Sequence, residues 1–100
     1  MPIGYLYILK CNDGSFYTGS TKYLYFRIQQ HNNGHGANHT KKRLPVVLVY
    51  FEVYSSIKMA YEREKQIQGW SRKKKLALIN KIHEDLPRLS RNCTEFGKPE

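Results

Sequence analysis

The sequence predicts an α+β domain with the element order β-β-α-β-α-α. Three observations support this prediction: two short β-rich segments flank a strong turn signal near the N-terminus, a third β-rich segment lies mid-chain, and amphipathic helical patterns follow the second and third of these segments. A chain of 100 residues has room for one hydrophobic core. We expect residues 1–84 to form this domain and residues 85–100, which contain two prolines and little apolar sequence, to form a loosely ordered tail.

The first two strands are predicted at residues 5–9 and 16–20. The first is apolar on both faces, which is typical of a strand in the middle of a sheet. An Asn-Asp-Gly-Ser turn around Gly14 connects the strands, and the length of this loop decides where Tyr7 and Tyr17 lie. A two-residue turn would place the two tyrosines on opposite faces, whereas an odd loop with a β-bulge at Gly14 would place both on one face. We favour the bulge, because a site shared by Tyr7 and Tyr17 requires it.

The remaining elements follow from capping residues and periodicity. They are a helix from about Tyr23 to Asn32 that ends at Asn33-Gly34, a strand from Val46 to Tyr54, a helix capped by Ser55-Ser56 that ends at Gly69, and a helix capped by Ser71 that reaches about His83. The Gly-, His- and Asn-rich stretch from Gly34 to Thr40 is predicted to be too irregular for a packed element. This stretch is followed by the basic run Lys41-Lys42-Arg43, and the segment as a whole is too basic to be a passive linker.

The composition indicates a polyanionic partner. The chain carries 17 Lys and Arg against 8 Asp and Glu, a formal charge of +9, which favours nucleic acid as the partner and leaves an anionic membrane surface as the weaker alternative. The longest apolar run, residues 45–51, is too short to span a bilayer, and the N-terminus lacks a signal-peptide pattern. Cys11 and Cys93 have no metal-binding or redox spacing. We therefore expect a cytoplasmic protein with reduced thiols.

Position 64 interrupts the apolar stripe of the second predicted helix with a glutamate. A carboxylate on a buried stripe is costly unless it is paired, hydrogen-bonded or holding a cation. Glu64 is therefore a candidate metal ligand. The alternative is that it lies at the edge of the stripe and pairs in solvent with Arg63 or Lys65.

Arg27 and His31 are four residues apart and should project from one face of the first helix. This face is either a solvated basic surface or an anion site, since a guanidinium matches phosphate geometry and a histidine can donate or shuttle a proton. Tyr7 and Tyr17 are each compatible with simple core packing. Together with Glu64, however, these four residues supply the groups that phosphodiester hydrolysis needs, because a phenol can take a proton from water if positive charge lowers its pKa from about 10.

At these positions the sequence resembles the GIY-YIG nuclease family. The two signature segments are Tyr5-Leu6-Tyr7 and Tyr17-Thr18-Gly19, with ten residues from Tyr7 to Tyr17. Arg27 with His31, and then Glu64, match the helix motifs of the family in order and spacing.

The departures from the family pattern are few. Tyr5 replaces a glycine of the first signature segment, and Thr18 replaces an isoleucine of the second. Ser20 stands where some relatives have a lysine, and the late asparagine of the family has only Asn80 as a candidate counterpart.

The resemblance covers about residues 4–82 and is strongest to small stand-alone bacterial proteins of the family. It implies a three-stranded antiparallel sheet with the first strand central and helices at its sides. It also implies a metal-dependent DNA endonuclease in which Glu64 holds Mg²⁺ or Mn²⁺, Arg27 grips the scissile phosphate, and Tyr17 or Tyr7 activates water with assistance from His31. Tyr17 is slightly favoured as the base, and no small-molecule cofactor is expected.

Residues outside this cluster are predicted to bind nucleic acid through phosphates remote from the cut. They form two basic runs, Lys41, Lys42, Arg43 and Arg72, Lys73, Lys74, Lys75. A solvated helix face is the alternative for the second run. Aromatic and imidazole side chains near the first run could stack on unpaired bases, which extends the prediction to single-stranded or distorted DNA. They are Tyr23, Tyr25, His35 and His39.

Three other interpretations remain open. The runner-up to the nuclease is a nucleic-acid-binding module that keeps the fold without cutting, and a basic protein that binds RNA or ribosomes is a weaker third. A zinc site at His31, His35 and His39, which recur every four residues, is disfavoured because Gly34 and Gly36 interrupt any helix that would align them.

Overall fold

The computed structural model of the protein describes residues 3–81. Its elements are β1 (Gly4–Lys10), β2 (Phe16–Thr21), α1 (Leu24–Asn32), α2 (Asn38–Lys41), β3 (Val47–Tyr54), α3 (Ile57–Gln68) and a helix, α4, at residues 72–81. The strands form one antiparallel sheet in the order β2-β1-β3, so the predicted α+β architecture with a central first strand is confirmed. The predicted tail at residues 85–100, the end of the last helix and Cys93 lie outside the described residues.

The loop between β1 and β2 has the odd length that the shared site requires. Lys10 pairs with Phe16, which leaves residues 11–15 in the loop. The Gly14 N–H donates to the Cys11 carbonyl at 2.9 Å, the Cys11 N–H donates to the Ser15 carbonyl at 2.8 Å, and Gly14 has a φ of 85°. This is the geometry of a type I turn followed by a left-handed glycine in a bulge, and it confirms the prediction.

The register that follows from this loop puts both signature tyrosines on one face. Tyr7 lies opposite Gly19, and Leu9 lies opposite Tyr17. Because side chains alternate along a strand, residues 7, 9, 17 and 19 share a face, which we call the α1 face. The other, which carries Leu6 and Ile8, is the α3 face.

Each face of the sheet has its own core. On the α3 face, Leu6 and Ile8 pack with Ile67 of α3 and Ile79 of α4. On the α1 face, Tyr7 and Leu9 form a buried cluster against which the apolar side of α1 packs, through Leu24 and Ile28. The sheet therefore separates residues that are close in sequence into two environments.

The helix ends agree with the sequence prediction. Tyr23 is the N-cap of α1, and Gly34, with a φ of 83°, follows its last turn. Ser56 caps α3 by accepting a hydrogen bond from the Met59 N–H at 3.3 Å, and Gly69 is its C-cap. These capping signals are local, and they were sufficient to predict where the helices begin and end.

One prediction about the segment between α1 and β3 was wrong. The stretch between Gly34 and Thr40 was predicted to lack a packed element, but the short helix α2 begins there at Asn38. Thr40, in this helix, is fully buried, and its hydroxyl donates to the Ala37 carbonyl at 3.0 Å. The helix is held by burial of Thr40 against α1, a contact that the periodicity of so short a segment does not reveal.

Candidate active site

Tyr7 and Tyr17 form the floor of the site on the α1 face, with ring centroids 6.4 Å apart. Tyr7 is 1% exposed, whereas Tyr17 is half-buried. The Tyr7 ring lies directly over Gly19, where an added Cβ would stand 2.5 Å from the Tyr7 hydroxyl oxygen. The glycine of the second signature segment is thus required by the close approach of the first-segment tyrosine.

His31 projects from α1 into the same place and is fully buried. Its Nε2 atom is 3.0 Å from the Tyr7 hydroxyl, and its Nδ1 atom is 2.8 Å from the Thr40 hydroxyl. The imidazole also packs against the Tyr17 ring at a centroid distance of 5.3 Å. Any side chain at position 36 would collide with this imidazole, which explains the glycine there.

Arg27 lies one helical turn before His31 and is half-buried. Burial raises the pKa values of both phenols, and the interaction of the Arg27 guanidinium with them opposes that rise. The Arg27 Nη1 donates to the Gln30 side chain at 3.1 Å. An arginine that faces two phenols is not a solvated basic surface. The structure therefore brings Tyr7, Tyr17, Arg27 and His31 together.

The electrostatics of these groups differ from the sequence argument. Burial raises the pKa of Tyr7 to about 12, and the opposing effect of Arg27 is smaller. Burial and the charge of Glu64 also raise the pKa of Tyr17. Burial, followed by the charge of Arg27, lowers the pKa of His31 to about 4. At neutral pH the phenols therefore keep their protons and His31 is uncharged.

Glu64 lies on α3, and its hydrogen-bond partner Ser20 lies on the α3 face of β2, whereas Tyr7 and Tyr17 lie on the α1 face. Its carboxylate accepts hydrogen bonds from the Ser20 hydroxyl and the Gln68 side-chain amide, both at 2.6 Å. Its negative charge nevertheless raises the pKa of both Tyr7 and Tyr17. The site spans the edge strand β2, with the carboxylate on one side and the other four groups on the opposite side.

Solvent pairing of Glu64 with Arg63, one alternative from the sequence, is not what the structure shows. Arg63 instead forms a two-point ion pair with Glu52, with Nε to Oε1 at 3.0 Å and Nη2 to Oε2 at 3.2 Å. Tyr50 and Tyr54 donate to the same carboxylate, each at 2.5 Å. Burial opposes ionisation of Glu52, but these hydrogen bonds outweigh it and lower the pKa of that carboxyl. Sequence reasoning missed this cluster.

The donors around Glu64 bear on whether a divalent cation fits. Ser20 and Gln68 are neutral, and among the described residues no ion pair involves Glu64. Residues 3–81 contain no group of three or more His, Cys, Asp or Glu side chains arranged to hold a metal ion. A single carboxylate suits Mg²⁺, which retains several waters, and does not suit a zinc site.

The first basic run divides into two kinds of residue. Lys41 and Lys42 are exposed. Arg43 is held by the hairpin loop, because its Nε donates to Asp13 at 2.9 Å and its Nη1 donates to the His39 carbonyl at 2.8 Å. Hydrogen bonds from Ser15, with help from Arg43, lower the pKa of Asp13 to about 2. Arg43 thus has a structural role that the sequence did not indicate.

The second basic run is likewise mixed. The Arg72 guanidinium donates to the Gly14 carbonyl at 2.6 Å and joins α4 to the hairpin. Lys74 lies over the ring of the single tryptophan, 4.4 Å from its centroid. Burial lowers the pKa of the partly buried Lys75. Lys73 is exposed, as is Asn80, the candidate for the late family asparagine.

The three histidines of the four-residue repeat are not brought together as metal ligands. His31 is buried in the site, while His35 is exposed. His39 stacks on Tyr17 with an interplanar angle of 21° and a centroid distance of 6.2 Å, and its Nε2 is 2.9 Å from the Ser15 hydroxyl. His39 was predicted to stack on bases, and in the structure its ring packs against the second signature tyrosine.

Large aromatic side chains are exposed at the beginning of α1. Tyr23 is 67% exposed, Tyr25 is 75% exposed and Phe26 is 60% exposed. Tyr23 lies one helical turn from Arg27, since the Arg27 N–H donates to the Tyr23 carbonyl at 2.9 Å. Tyr25 and Phe26 lie between these two residues in the sequence and project from other sides of the helix. Phe26 had not been singled out from the sequence.

The fold, a small basic domain with a three-stranded antiparallel sheet and flanking helices, is that of a GIY-YIG catalytic domain. The GIY-YIG catalytic domain family matches residues 3–77, and the chain belongs to this nuclease family. Nucleases act on nucleic acid, and those of this family typically depend on a divalent metal. Within residues 3–81, no helix has both the length and the apolar character needed to cross a membrane.

Within this family, the chain is similar to small bacterial proteins of the UPF0213 group. The chain is 53% identical over 76 residues to UPF0213 protein SSP2268 of Staphylococcus saprophyticus, which is 76% of this chain and 93% of the relative. It is 48% identical over 79 residues to a UPF0213 protein of Staphylococcus aureus, covering 79% of this chain and 96% of the relative.

Two solved structures share the fold. The solution NMR structure of UPF0213 protein BH0048 from Bacillus halodurans is 34% identical with a TM-score of 0.55, covering 93% of this chain and 99% of that chain. The solution NMR structure of EF2693 from E. faecalis is 33% identical with a TM-score of 0.57, covering 84% and 90%.

Proposed function

We propose that the protein is a divalent-metal-dependent DNA endonuclease whose site spans both sides of β2. The observation that carries this proposal is that Arg27 and Glu64, from opposite faces of the sheet, both act on Tyr7 and Tyr17. A phosphodiester that reached this edge would meet a permanent cation and two phenols from one side and a carboxylate from the other. Arg27 would grip the scissile phosphate through its guanidinium.

Glu64 is the residue that would hold the cation. When Mg²⁺ or Mn²⁺ is bound, it supplies positive charge that stabilises the developing charge on the phosphate and the leaving oxygen. Ser20 and Gln68 orient the carboxylate through one hydrogen bond each. A carboxylate has further lone pairs beyond these two bonds, so the orienting contacts leave acceptor capacity for a cation.

Tyr17 is the better of the two candidates for the phenol that contacts the attacking water. It is half-buried, whereas Tyr7 is buried and hydrogen-bonded to His31. Since burial raises both pKa values, a phenol here acts as a base only if its own proton can move on. Tyr7, which is hydrogen-bonded to His31, is the group that would receive the proton of Tyr17.

Single-stranded or distorted DNA is the proposed substrate form. Tyr23, Tyr25 and Phe26 have exposed rings at the start of α1, the helix that carries Arg27, and such rings stack on unpaired bases regardless of sequence. Duplex DNA keeps its bases paired and would not offer them to these side chains. Lys41, Lys42 and Lys73, which are exposed, would add phosphate contacts without sequence preference. We also place the protein in the cytoplasm, in keeping with the free, buried thiol of Cys11.

The proposal is tested by comparing Glu64→Gln with Glu62→Gln, a matched change at an exposed position of the same helix. Labelled single-stranded, duplex and branched oligonucleotides are incubated with Mg²⁺, with Mn²⁺ and with a chelator. We expect Glu64→Gln to lose about 100-fold or more in cleavage, the equivalent of a few kcal/mol of transition-state stabilisation, while Glu62→Gln cuts like the wild type. Cleavage that persists in chelator, or in Glu64→Gln, would disprove the metal assignment.

A non-cleaving nucleic-acid-binding module is the second candidate. It is favoured by Ser20, a neutral residue at a position where some relatives have a lysine, whose hydroxyl occupies one oxygen of Glu64. In that case the wild type would bind the oligonucleotides, leave them intact with either metal, and bind equally well after Glu64→Gln. The same experiment therefore separates the two functions.

A further inference from the structure

The hydroxyl of Thr40 completes a buried chain of hydrogen bonds that starts at Tyr7. Tyr7 and His31 Nε2 are 3.0 Å apart, His31 Nδ1 and Thr40 Oγ1 are 2.8 Å apart, and Thr40 Oγ1 and the Ala37 carbonyl are 3.0 Å apart. Thr40 and His31 are both 0% exposed. Water therefore does not compete for these bonds, and each proton in the chain must be held by a protein group.

The carbonyl at the end of the chain fixes its direction. A carbonyl only accepts, so Thr40 donates its single proton to Ala37 and must accept from His31. His31 therefore carries its proton on Nδ1, and its unprotonated Nε2 accepts from the Tyr7 hydroxyl. Every donor and acceptor in the chain is then satisfied.

The reverse direction fails at the tyrosine. If Thr40 donated to Nδ1, the Nε2–H would donate to the Tyr7 oxygen, which already faces the donors of Arg27. The Tyr7 proton would then need another acceptor, and in the part of the chain that the structure describes its hydroxyl has a hydrogen bond to no acceptor other than His31. A buried hydroxyl without an acceptor loses its hydrogen bond to water and gains none in return, which decides against this arrangement.

We propose that Thr40 is a positioning residue of the site, which holds His31 in the Nδ1–H tautomer so that Nε2 can receive the proton of Tyr7. Its importance for cleavage rests on the nuclease function proposed above, whereas the tautomer itself does not. When the site removes a proton from water, the water O–H bond breaks, its proton goes to the Tyr17 oxygen, and the proton of Tyr17 passes to the Tyr7 oxygen. The Tyr7 O–H bond breaks in turn, and a new N–H bond forms at His31 Nε2.

The transfer leaves Tyr7 neutral and places the positive charge on His31, whose Nδ1–H remains hydrogen-bonded to Thr40. Because burial lowers the pKa of His31 to about 4, the imidazole is neutral and free to accept throughout the physiological pH range. With the other tautomer, Nε2 would already hold a proton and the transfer from Tyr7 could not occur.

The experiment combines a spectroscopic measurement with turnover on the full chain. Two-bond ¹H–¹⁵N correlation spectra of ¹⁵N-histidine-labelled protein at neutral pH distinguish protonated from unprotonated ring nitrogens, and the His31 signals are identified by their loss in His31→Gln. In the wild type we expect a protonated Nδ1 and an unprotonated Nε2. Protonated Nε2 in the wild type would overturn the proposal without recourse to any variant.

Thr40→Val removes the acceptor while keeping the shape of the side chain. We expect the Nε2–H tautomer to gain population and turnover at saturating single-stranded oligonucleotide to fall about 10- to 100-fold, the scale typical for losing the hydrogen-bond partner of a site histidine. Thr40→Ser restores the hydroxyl and should recover the wild-type tautomer and turnover. A Thr40→Val protein with unchanged tautomer and turnover would refute the role of Thr40.

Two further variants serve as controls for the effect of Thr40 on the His31 tautomer. Thr18→Val makes the same chemical change on the α3 face and should leave the His31 spectrum unaltered. Tyr7→Phe removes the other partner of His31. If Thr40 sets the tautomer, Nδ1 stays protonated in Tyr7→Phe, and a shift to Nε2–H there would show that Tyr7 sets it instead.

The outcomes also separate this inference from the proposed function. If the wild type cuts no form of DNA, the nuclease proposal fails, while the spectra still decide the tautomer. If the wild type cuts but the tautomer does not respond to Thr40, the nuclease proposal stands and the positioning role falls.

Discussion

Replacing Thr18 by valine should stabilise the protein. Thr18, in the second signature segment, lies opposite Ile8 and is 3% exposed on the α3 face. Within residues 3–81 its hydroxyl oxygen is the one buried side-chain polar atom without a hydrogen-bond partner. Thr18 shares the α3 face with Leu6 and Ile8, which belong to the apolar core on that side of the sheet.

The magnitude follows from the cost of this unpaired group. Leaving a buried hydroxyl unsatisfied costs about 1–3 kcal/mol, and valine places a methyl group where the oxygen stands. The Thr18 carbonyl, which accepts from the Gln68 side chain at 3.4 Å, is unaffected by the change. We therefore expect a gain of at least about 1 kcal/mol, which corresponds to an increase in melting temperature of about 4–8 °C for a domain of this size.

Urea denaturation followed by circular dichroism measures this gain, with the slope of the free energy of unfolding against urea expected to stay constant. Thr40→Val is the matched comparison, because it removes a buried hydroxyl that does have partners. It should destabilise by about 1–3 kcal/mol, since a buried imidazole donor loses its acceptor. If Thr18→Val lowers the stability, or if both variants change it in the same direction, the reasoning from hydrogen-bond satisfaction is wrong.

Three further predictions concern stability, pH and salt. Arg63→Met should destabilise by about 2 kcal/mol in urea, less than the ~3–5 kcal/mol of a fully buried pair, because Glu52 keeps its tyrosine donors and is partly exposed. Because the pKa of His31 is lowered to about 4 from 6.5 in the unfolded chain, its contribution to stability is full above pH 6.5 and is lost as the pH falls toward 4. His31→Gln should therefore flatten the dependence of the free energy of unfolding on pH between these values. An unchanged dependence in the variant would contradict the lowered pKa. Replacing both Lys41 and Lys42 with glutamine should reduce the slope of log affinity against log salt by about 0.7–0.9 per lost phosphate contact, and a constant slope would show that they do not touch the backbone.

The sheet and its hairpin were predictable because their signals are local. An Asn-Asp-Gly turn, strand alternation and the need to place Tyr7 and Tyr17 together fixed the loop parity. The end of α1 at Asn33-Gly34 and the serine cap of α3 were also visible in the sequence. Helix spacing put Arg27 and His31 on one face, and the resemblance to the family assigned that face its role.

What could not be predicted depends on contacts between distant segments. The ion pair of Glu52 with Arg63 joins a strand to a helix, and the sequence offered Glu64 as the more obvious partner of Arg63. The ion pair between Arg43 and Asp13 joins residues that are 30 apart in the sequence. A basic run thus overstates the number of cations available to a ligand, since only the packed structure reveals which are already committed.

The second signature segment explains how one strand serves two environments. Its alternating residues divide between the faces, so that Tyr17 and Gly19 belong to the α1 face while Thr18 and Ser20 belong to the α3 face. Because β2 is an edge strand, both faces open at the same border, where Ser20 holds Glu64 and Tyr17 stands beside Arg27. A central strand would have buried that border beneath a neighbour. In the proposed function, the position of β2 at the edge is therefore the feature that would let groups from opposite sides of the sheet act on one bound phosphate.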